Sequence, residues 1–580
     1  MNTKVSLMAA ISSMAVGLAA CSADPGPAPI EESTSTPAST STTTPAVSEA
    51  DFAIGIDEIQ GGLNPHIGSD DSVFVRELAD LVLPSAFIDG QLNTELLHSA
   101  DLVTPAAGVA QTVRYELQSA AQWSDGTPIT VADFQYLWRA ISTNVDTKLA
   151  PYYQQISEIR SSQGGKIIDV DFKVPLAQWQ LLFQHLLPAH SLGDPTADFA
   201  SDLTDTYPAS GWRFQFGGFD SQRGIITLYR NDRFWGENPA RLDSLEFIGI
   251  RNPNQAAEML RSGQVEALNI TPTQTSAEMF ELIPGTVVNT STSDISLQLI
   301  ATEQLSLGQR KRLQSLIDVD QLARLATGRA VPVSEHTADP GVGEDLPPRL
   351  RIGVNPEDDI ARNAARILVD MLTGLGVEAT TVESDAANLY GQLLPAGEVD
   401  LIFTRNNYSG LVRNTCLGEA ADLVTGGTGT STVESTDPAR PELQESEHAD
   451  GTGEGSEDAA GGSAAGETTA SELVDTDTAS TSPLAPNFTA AHFQGDNFSG
   501  YCDPHFQDIV TGFMAGDIAL SDVEDEAQQL EQAQALRLPV VYDERLHVLG
   551  ARLAEAAATA PAEIDTDDLG ALIAWQEQEN

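Results

Sequence analysis

Basic residues are scarce in this chain. Its 580 residues hold 30 Lys and Arg against 84 Asp and Glu, a formal net charge of −54. That shortage argues against a nucleic-acid binder, which needs a basic footprint on phosphate. It equally argues against a protein held to anionic lipid by a basic patch. Lysine is rarest, at positions 4, 148, 166, 173 and 311 only. Catalytic signatures are missing too. No Gly-x-Ser-x-Gly, P-loop, His-Glu-x-x-His or Cys-x-x-Cys occurs. The nine histidines are scattered. His185 and His190 do not share a helix face, and Pro188 lies between them, so they read as structural rather than metal-ligating. In so acidic a chain, neighbouring carboxylates do not single out a catalytic dyad. No catalytic residue, metal or cofactor is therefore assigned, and a binding protein is the stronger class. What is present is a 41% hydrophobic share, enough for real cores. The length corresponds to roughly three to four domains.

The amino terminus reads as a processing segment, 1–20. Lys4 is followed by an apolar run from Val5 to Ala20, too short to span a bilayer, which takes roughly 20 residues. It meets Leu18-Ala19-Ala20-Cys21, which resembles a lipobox and makes Cys21 the expected site of lipidation; an ordinary signal peptide is the alternative. Residues 21–50, rich in Pro, Ala, Ser and Thr, read as a flexible tether. The body is thus expected on the extracytoplasmic face of the membrane, anchored by lipid. No other run approaches the length of a span.

Cys416 and Cys502 remain. Outside the cytoplasm they are expected to form one disulfide; two buried thiols are the alternative. Between them, residues 419–482 carry 15 acids, one base and no aromatic residue. Such a stretch cannot bury enough surface to offset its ordering entropy, so it reads as a disordered acidic insertion. A bridge there closes a loop of about 85 residues, worth roughly 4–5 kcal/mol on the chain-entropy model.

The rest alternates strands and helices. Leu350–Val354 reads as a strand. Asn355 is then an N-cap, with Pro356 at the first helical position, and apolar residues from Ile360 to Leu375 recur at helical spacing. Gly376 stops the helix. Strands at 377–382 and 399–404 complete a β-α-β-α-β unit. Earlier, strands at 245–250 and 265–270 flank a helix opened by Asn252-Pro253 and stopped by Gly263. This predicts two separate α/β sheets, hence two lobes with a ligand crevice between them.

The most informative block runs from Trp123-Ser124-Asp125-Gly126-Thr127-Pro128 through Thr130 and Asp133 to Phe134, Leu137, Trp138 and Ile141. It reads as a strand end, a turn, and a helix capped by Thr130 with Asp133 at its third position; the apolar stripe faces a core. This block resembles the family 5 extracytoplasmic solute-binding proteins of ABC importers. The segments 210–214, 226–236 and 310–325 continue the resemblance in order. It implies a two-lobed periplasmic-binding-protein-like α/β fold, type II and oligopeptide-binding in class, and a monomer. Lobe I would take 51–285; lobe II would take 286–418 and 483–535; residues 536–580 would return to lobe I. Within that family, 53–57, 62–66, 81–87, 187–190 and 497–503 are similar to actinobacterial lipoproteins linked to mannolipid assembly.

That resemblance implies a polar lipid or glycolipid ligand, such as a phosphatidylinositol mannoside, in lipomannan and lipoarabinomannan synthesis. Two alternatives stand beside it: a peptide-binding component working with an ABC permease, and a non-binding scaffold acting on a membrane glycosyltransferase. The family's peptide binders place an Asp in the second lobe to capture an α-ammonium. Here the matching strand end reads Thr404-Arg405-Asn406-Asn407-Tyr408, with no acid before Glu419. Arg405, Asn406, Asn407 and Tyr408 therefore suit hydroxyls and a phosphate. Asn64 and His66, just after the first strand, form a second candidate cleft wall.

Overall fold

A computed structural model of the chain describes residues 51–70, 72–144, 147, 149–329, 344–406, 416, 497–559 and 573. The expected signal segment, Cys21, the tether and the insertion 419–482 lie outside these residues. Sixteen strands are described in chain order: β1 (Asp51–Asp57), β2 (Phe87–Ile88), β3 (Gln91–Leu92), β4 (Leu97–Val103), β5 (Gln111–Leu117), β6 (Ile156–Ser162), β7 (Ile167–Phe172), β8 (Phe214–Asp220), β9 (Ile225–Arg230), β10 (Ser244–Ile250), β11 (Ala267–Ile270), β12 (Val287–Ala301), β13 (Leu350–Val354), β14 (Ala379–Glu383), β15 (Leu401–Asn406) and β16 (Arg537–Leu549).

Ten of them form one sheet, in the order β14-β13-β15-β12-β16-β11-β1-β10-β9-β8. This corrects the expectation of two separate sheets. The cause is the length of β12 and β16, which pair antiparallel from end to end and belong to both lobes. Their register shifts between Thr292 and Ser296, where the two lobes join. Expected lobe boundaries at 285/286 and 535/536 therefore fall just ahead of strands that cross from one lobe to the other.

Each lobe buries both faces of its part of the sheet. In lobe I, Phe52, Ile54 and Ile56 alternate along β1 into one apolar cluster. On the other face Ile248 and Leu268 pack with Ala256, Leu260 and Phe280 from the helices Pro253–Ser262 and Ser276–Glu281. Asn252 caps the first of these, its side chain accepting from Gln255 N, and Gly263 ends it at φ 70°, a left-handed position suited to glycine. In lobe II, Leu350, Ile352, Leu401 and Phe403 pack with Leu322, Leu368 and Leu372. The helix after β13 starts later than expected. Asp358, not Asn355, is the N-cap of Asp359–Gly374, accepting from Ala361 N; the Asn355 side chain instead accepts from Glu357 N.

A four-stranded antiparallel sheet, β4-β5-β7-β6, joins the lobe I core. The helix Val131–Thr143 packs on it, with Phe134, Leu137 and Ile141 buried. Thr130 and Asp133 form a full capping box at its start. The helices Pro504–Ala515 and Leu520–Ala533, expected in lobe II, send Phe506, Val510, Phe513, Val523 and Ala527 into the lobe I cluster instead. None of the described helices is long and apolar enough to cross a membrane.

Candidate binding cleft

Strand direction places the cleft. β1, β10 and β11 run parallel to one another, as do β13, β14 and β15. β12 is antiparallel to both β15 and β16, and β16 is antiparallel to β11. The two parallel sets therefore run toward each other. The end of β11 reaches Leu546, opposite Thr290, and the end of β15 reaches Ser296. Both lobes thus aim their carboxyl ends at the crossing between these positions. Ligand sites in open α/β sheets lie off such ends.

The side chains there form two charge networks. In lobe I, Asp57 ends β1 and accepts from Thr271 N at 2.9 and 3.1 Å and from the Thr271 hydroxyl at 2.8 Å. Arg545 pairs with Asp57 and donates to the Asn269 side chain and carbonyl at 2.9 and 2.8 Å. In lobe II, Arg405 donates to Asp358 at 2.7 and 3.3 Å and pairs with Asp543. Asp543 and Arg545 share one face of β16, so one strand serves both networks. Arg329 pairs with Glu544 on the opposite face.

Electrostatics follow from this pairing. Burial opposes the Arg405 charge, but Asp543 and Asp358 outweigh it and hold the guanidinium well above its ordinary range. Burial likewise pushes the Asp358 carboxyl up, yet Arg405 and the hydrogen bonds at the helix start bring it below the usual carboxylate range. Among the described residues, these two networks bring Arg405 and Arg545 against Asp57, Asp358 and Asp543, an excess of one acid.

The expected site residues separate into three groups. Arg405 lies near the end of β15 at the crossing, its guanidinium donating to Asp358 and paired with Asp543. Asn406 ends β15 opposite Ser296, while Asn407 and Tyr408 lie outside the described residues. Asn64 and His66 lie buried in lobe I, away from the open surface. Asn64 is buried, donating to Phe199 O at 2.8 Å and accepting from His66 N at 3.1 Å. The buried His66 ring meets His185 O at 3.0 Å and lies beside Phe199. Their polar atoms hold the loop to the lobe I interior.

Sequence reasoning missed Asp57, Thr271, Asp358, Asp543 and Arg545. The available signal was position: Asp57 and Thr271 directly end or follow strands, and Asp358 opens a helix just beyond one. Cys416 and Cys502 form the expected disulfide, with Cα atoms 5.9 Å apart. His185 and His190 bond Asp80 and Asp125, each at 2.6 Å. Among the described residues no group of three or more His, Cys, Asp and Glu is placed to hold a metal ion. Two open surface depressions, of about 360 Å³ beside Tyr229 and about 660 Å³ beside Arg349, lie away from the crossing.

The chain is similar to known proteins in sequence and in fold. Residues 108–328 match the family described as bacterial extracellular solute-binding proteins, family 5 Middle. The chain is 31% identical over 354 residues to the probable monoacyl phosphatidylinositol tetramannoside-binding protein LpqW of Mycobacterium tuberculosis, covering 57% of this chain and 54% of that protein. It is 31% identical over 194 residues to the oligopeptide-binding protein OppA of the same organism, covering 30% of each. The chain thus spans about half the length, or less, of these relatives. Its fold matches the oligopeptide-binding protein AppA of Bacillus subtilis, solved with a nonapeptide, at a TM-score of 0.59 and 12% identity, over 90% of this chain and 98% of that one.

Proposed function

We propose that this chain, whose residues 108–328 match the family 5 solute-binding proteins, is an extracytoplasmic receptor for a polyhydroxylated ligand. The ligand is the glycan headgroup of a polar lipid, as the name of the relative LpqW suggests. The protein binds rather than catalyses, and a lipid on Cys21 holds it at the membrane.

The observation that carries this reading is the paired-charge lining of the crossing. A phosphate entering there meets guanidinium groups already matched by carboxylates, in surroundings with one acid in excess. A sugar hydroxyl fares better, because it donates to a carboxylate and accepts from a remaining guanidinium N–H at once. The headgroup sugars therefore sit at the crossing, and the phosphodiester and acyl chains point outward. This revises the role of Arg405 from anion fork to part of a sugar-binding network.

Titration calorimetry with a mannosylated inositol headgroup, inositol phosphate alone and a peptide panel tests the proposal. Binding of the mannosylated compound but not of inositol phosphate is expected. Binding of peptides alone supports the second reading, an importer's peptide receptor, for which the excess carboxylate is the favouring observation. No binding at all supports the scaffold acting on a membrane glycosyltransferase.

A further inference from the structure

The helical hairpin formed by Pro504–Ala515 and Leu520–Ala533 is rooted in one lobe and seated on the other. At its first root, Phe498 packs with Ile300, Leu389, Val399 and Ile402 of lobe II. Ser499 O accepts from Glu303 N at 2.8 Å, and Cys502 is tied to Cys416. Asp503 then caps the first helix, accepting from Phe506 N at 3.0 Å. At the second root, Gln534 O accepts from Arg310 Nε at 2.7 Å, and Leu538 and Val540 enter the lobe II core.

Between these roots the apolar face belongs to lobe I. Phe506, Val510, Phe513 and Met514 are buried in the lobe I cluster. At the tip, Met514 O accepts from Ala177 N at 2.6 Å. Gly516 follows at φ 86°, and a Cβ there would stand 2.8 Å from the Ala177 Cβ. Both a left-handed backbone and a close approach therefore require glycine at this position. Ile518 folds back over Gly512, where an added Cβ would meet its Cδ1 at 2.7 Å, so the tip is a tightly packed corner.

We infer that this hairpin is a strap that holds lobe II closed on lobe I, and that its tip must leave the Ala177 seat for the cleft to open. This regulation rests on the reading of the crossing as the ligand site. A strap that favours the closed state supplies part of the closing free energy without any ligand, so it sets the population of the binding-competent form. The apolar seat gives the strap its strength, and the disulfide at the first root stops it from paying out.

The test reads the lobe separation without ligand, so its failure is distinct from a failure to find the ligand. Spin labels are attached through a non-natural ketone side chain at Leu102 in lobe I and Leu375 in lobe II, which are 62% and 55% exposed. The ligand-free full chain is expected to give one short, narrow distance distribution. Gly516→Val should lengthen and broaden it. Met514→Asp, whose charge must leave the apolar seat, should do the same without straining a left-handed backbone. Gly90→Val is the control, because Gly90 is also left-handed, at φ 72°, but has no neighbour within 4 Å. An unchanged distribution in both strap variants overturns the inference, and so does an equal change in the Gly90→Val control.

Discussion

Two regions only a few residues apart in lobe I put polar side chains to opposite uses. Asp57 closes β1 and meets Thr271 and Arg545 at the crossing of the lobes. Asn64 and His66, in the loop that follows, turn their polar atoms inward onto Phe199 and His185. The difference comes from what the backbone needs. A strand end already has its ladder bonds, so its side chain is free to face the cleft. A buried loop has unpaired backbone groups, and nearby amides and rings are drawn in to satisfy them.

The sharpest way to break this comparison is to remove Arg405. That change leaves Asp358 and Asp543 facing each other without a counter-charge, and it should destabilise lobe II by roughly 3 kcal/mol. Chemical denaturation measures this; a loss well under 1 kcal/mol would mean that the network contributes little to the fold.

Asn64→Ala comes next. It strips the partners from Phe199 O and His66 N and should cost about 2 kcal/mol of stability. Ligand affinity of the remaining folded protein should stay unchanged. A fall in affinity without a fall in stability would return the loop to the cleft wall. Asp57→Ala should show the reverse emphasis, with affinity falling about tenfold, or about 1.4 kcal/mol, and a smaller loss of stability than in Asn64→Ala, because the Asp57 side chain is 41% exposed.

The smallest effect is in the pH dependence, where two carboxylates at helix starts should respond oppositely. Burial pushes Asp133 up to about 6, against bonds from Thr130 N and Ala189 N that lower it. Its protonation therefore favours the folded state, so its contribution grows as pH falls through 6 toward the unfolded value near 3.9. Asp358 is shifted down, so its contribution is present above that unfolded value and is lost as pH falls below it. Stability curves of Asp133→Asn and Asp358→Asn from pH 3 to 8 should lose these two slopes separately. A shared change would mean that the two sites are not independent.

How far these features could be read from the sequence follows the same division. Local chemistry was legible: Thr130 and Asp133 box their helix, Asn252 and Gly263 bracket another, and Phe134, Leu137 and Ile141 of the apolar stripe are buried. The crossing was not. The middle of β12 reads Asn289-Thr290-Ser291-Thr292-Ser293-Asp294, a polar run that looks like a loop, and only its pairing with β16 makes it strand. Without that strand the sequence pattern assigns the two lobes separate sheets. Arg405 could be picked out as a charged strand end, but its partners Asp358 and Asp543 lie 47 and 138 residues away. The charge of a site depends on such pairs, so a lone arginine in the sequence did not reveal the two carboxylates that face it. The helical hairpin misled for a related reason. Its chain position is in lobe II, while its apolar face belongs to lobe I.

If the paired networks at the crossing form the ligand site, they prefer hydroxyls to a phosphate. Calorimetric titration of the full chain and of its Asp57→Ala variant with a mannosylated inositol headgroup tests this most directly. Saturable binding by the full chain is expected, about tenfold weaker in the variant, and none with inositol phosphate. Equal affinity of the two proteins, or tighter binding of inositol phosphate than of the mannosylated compound, would contradict it.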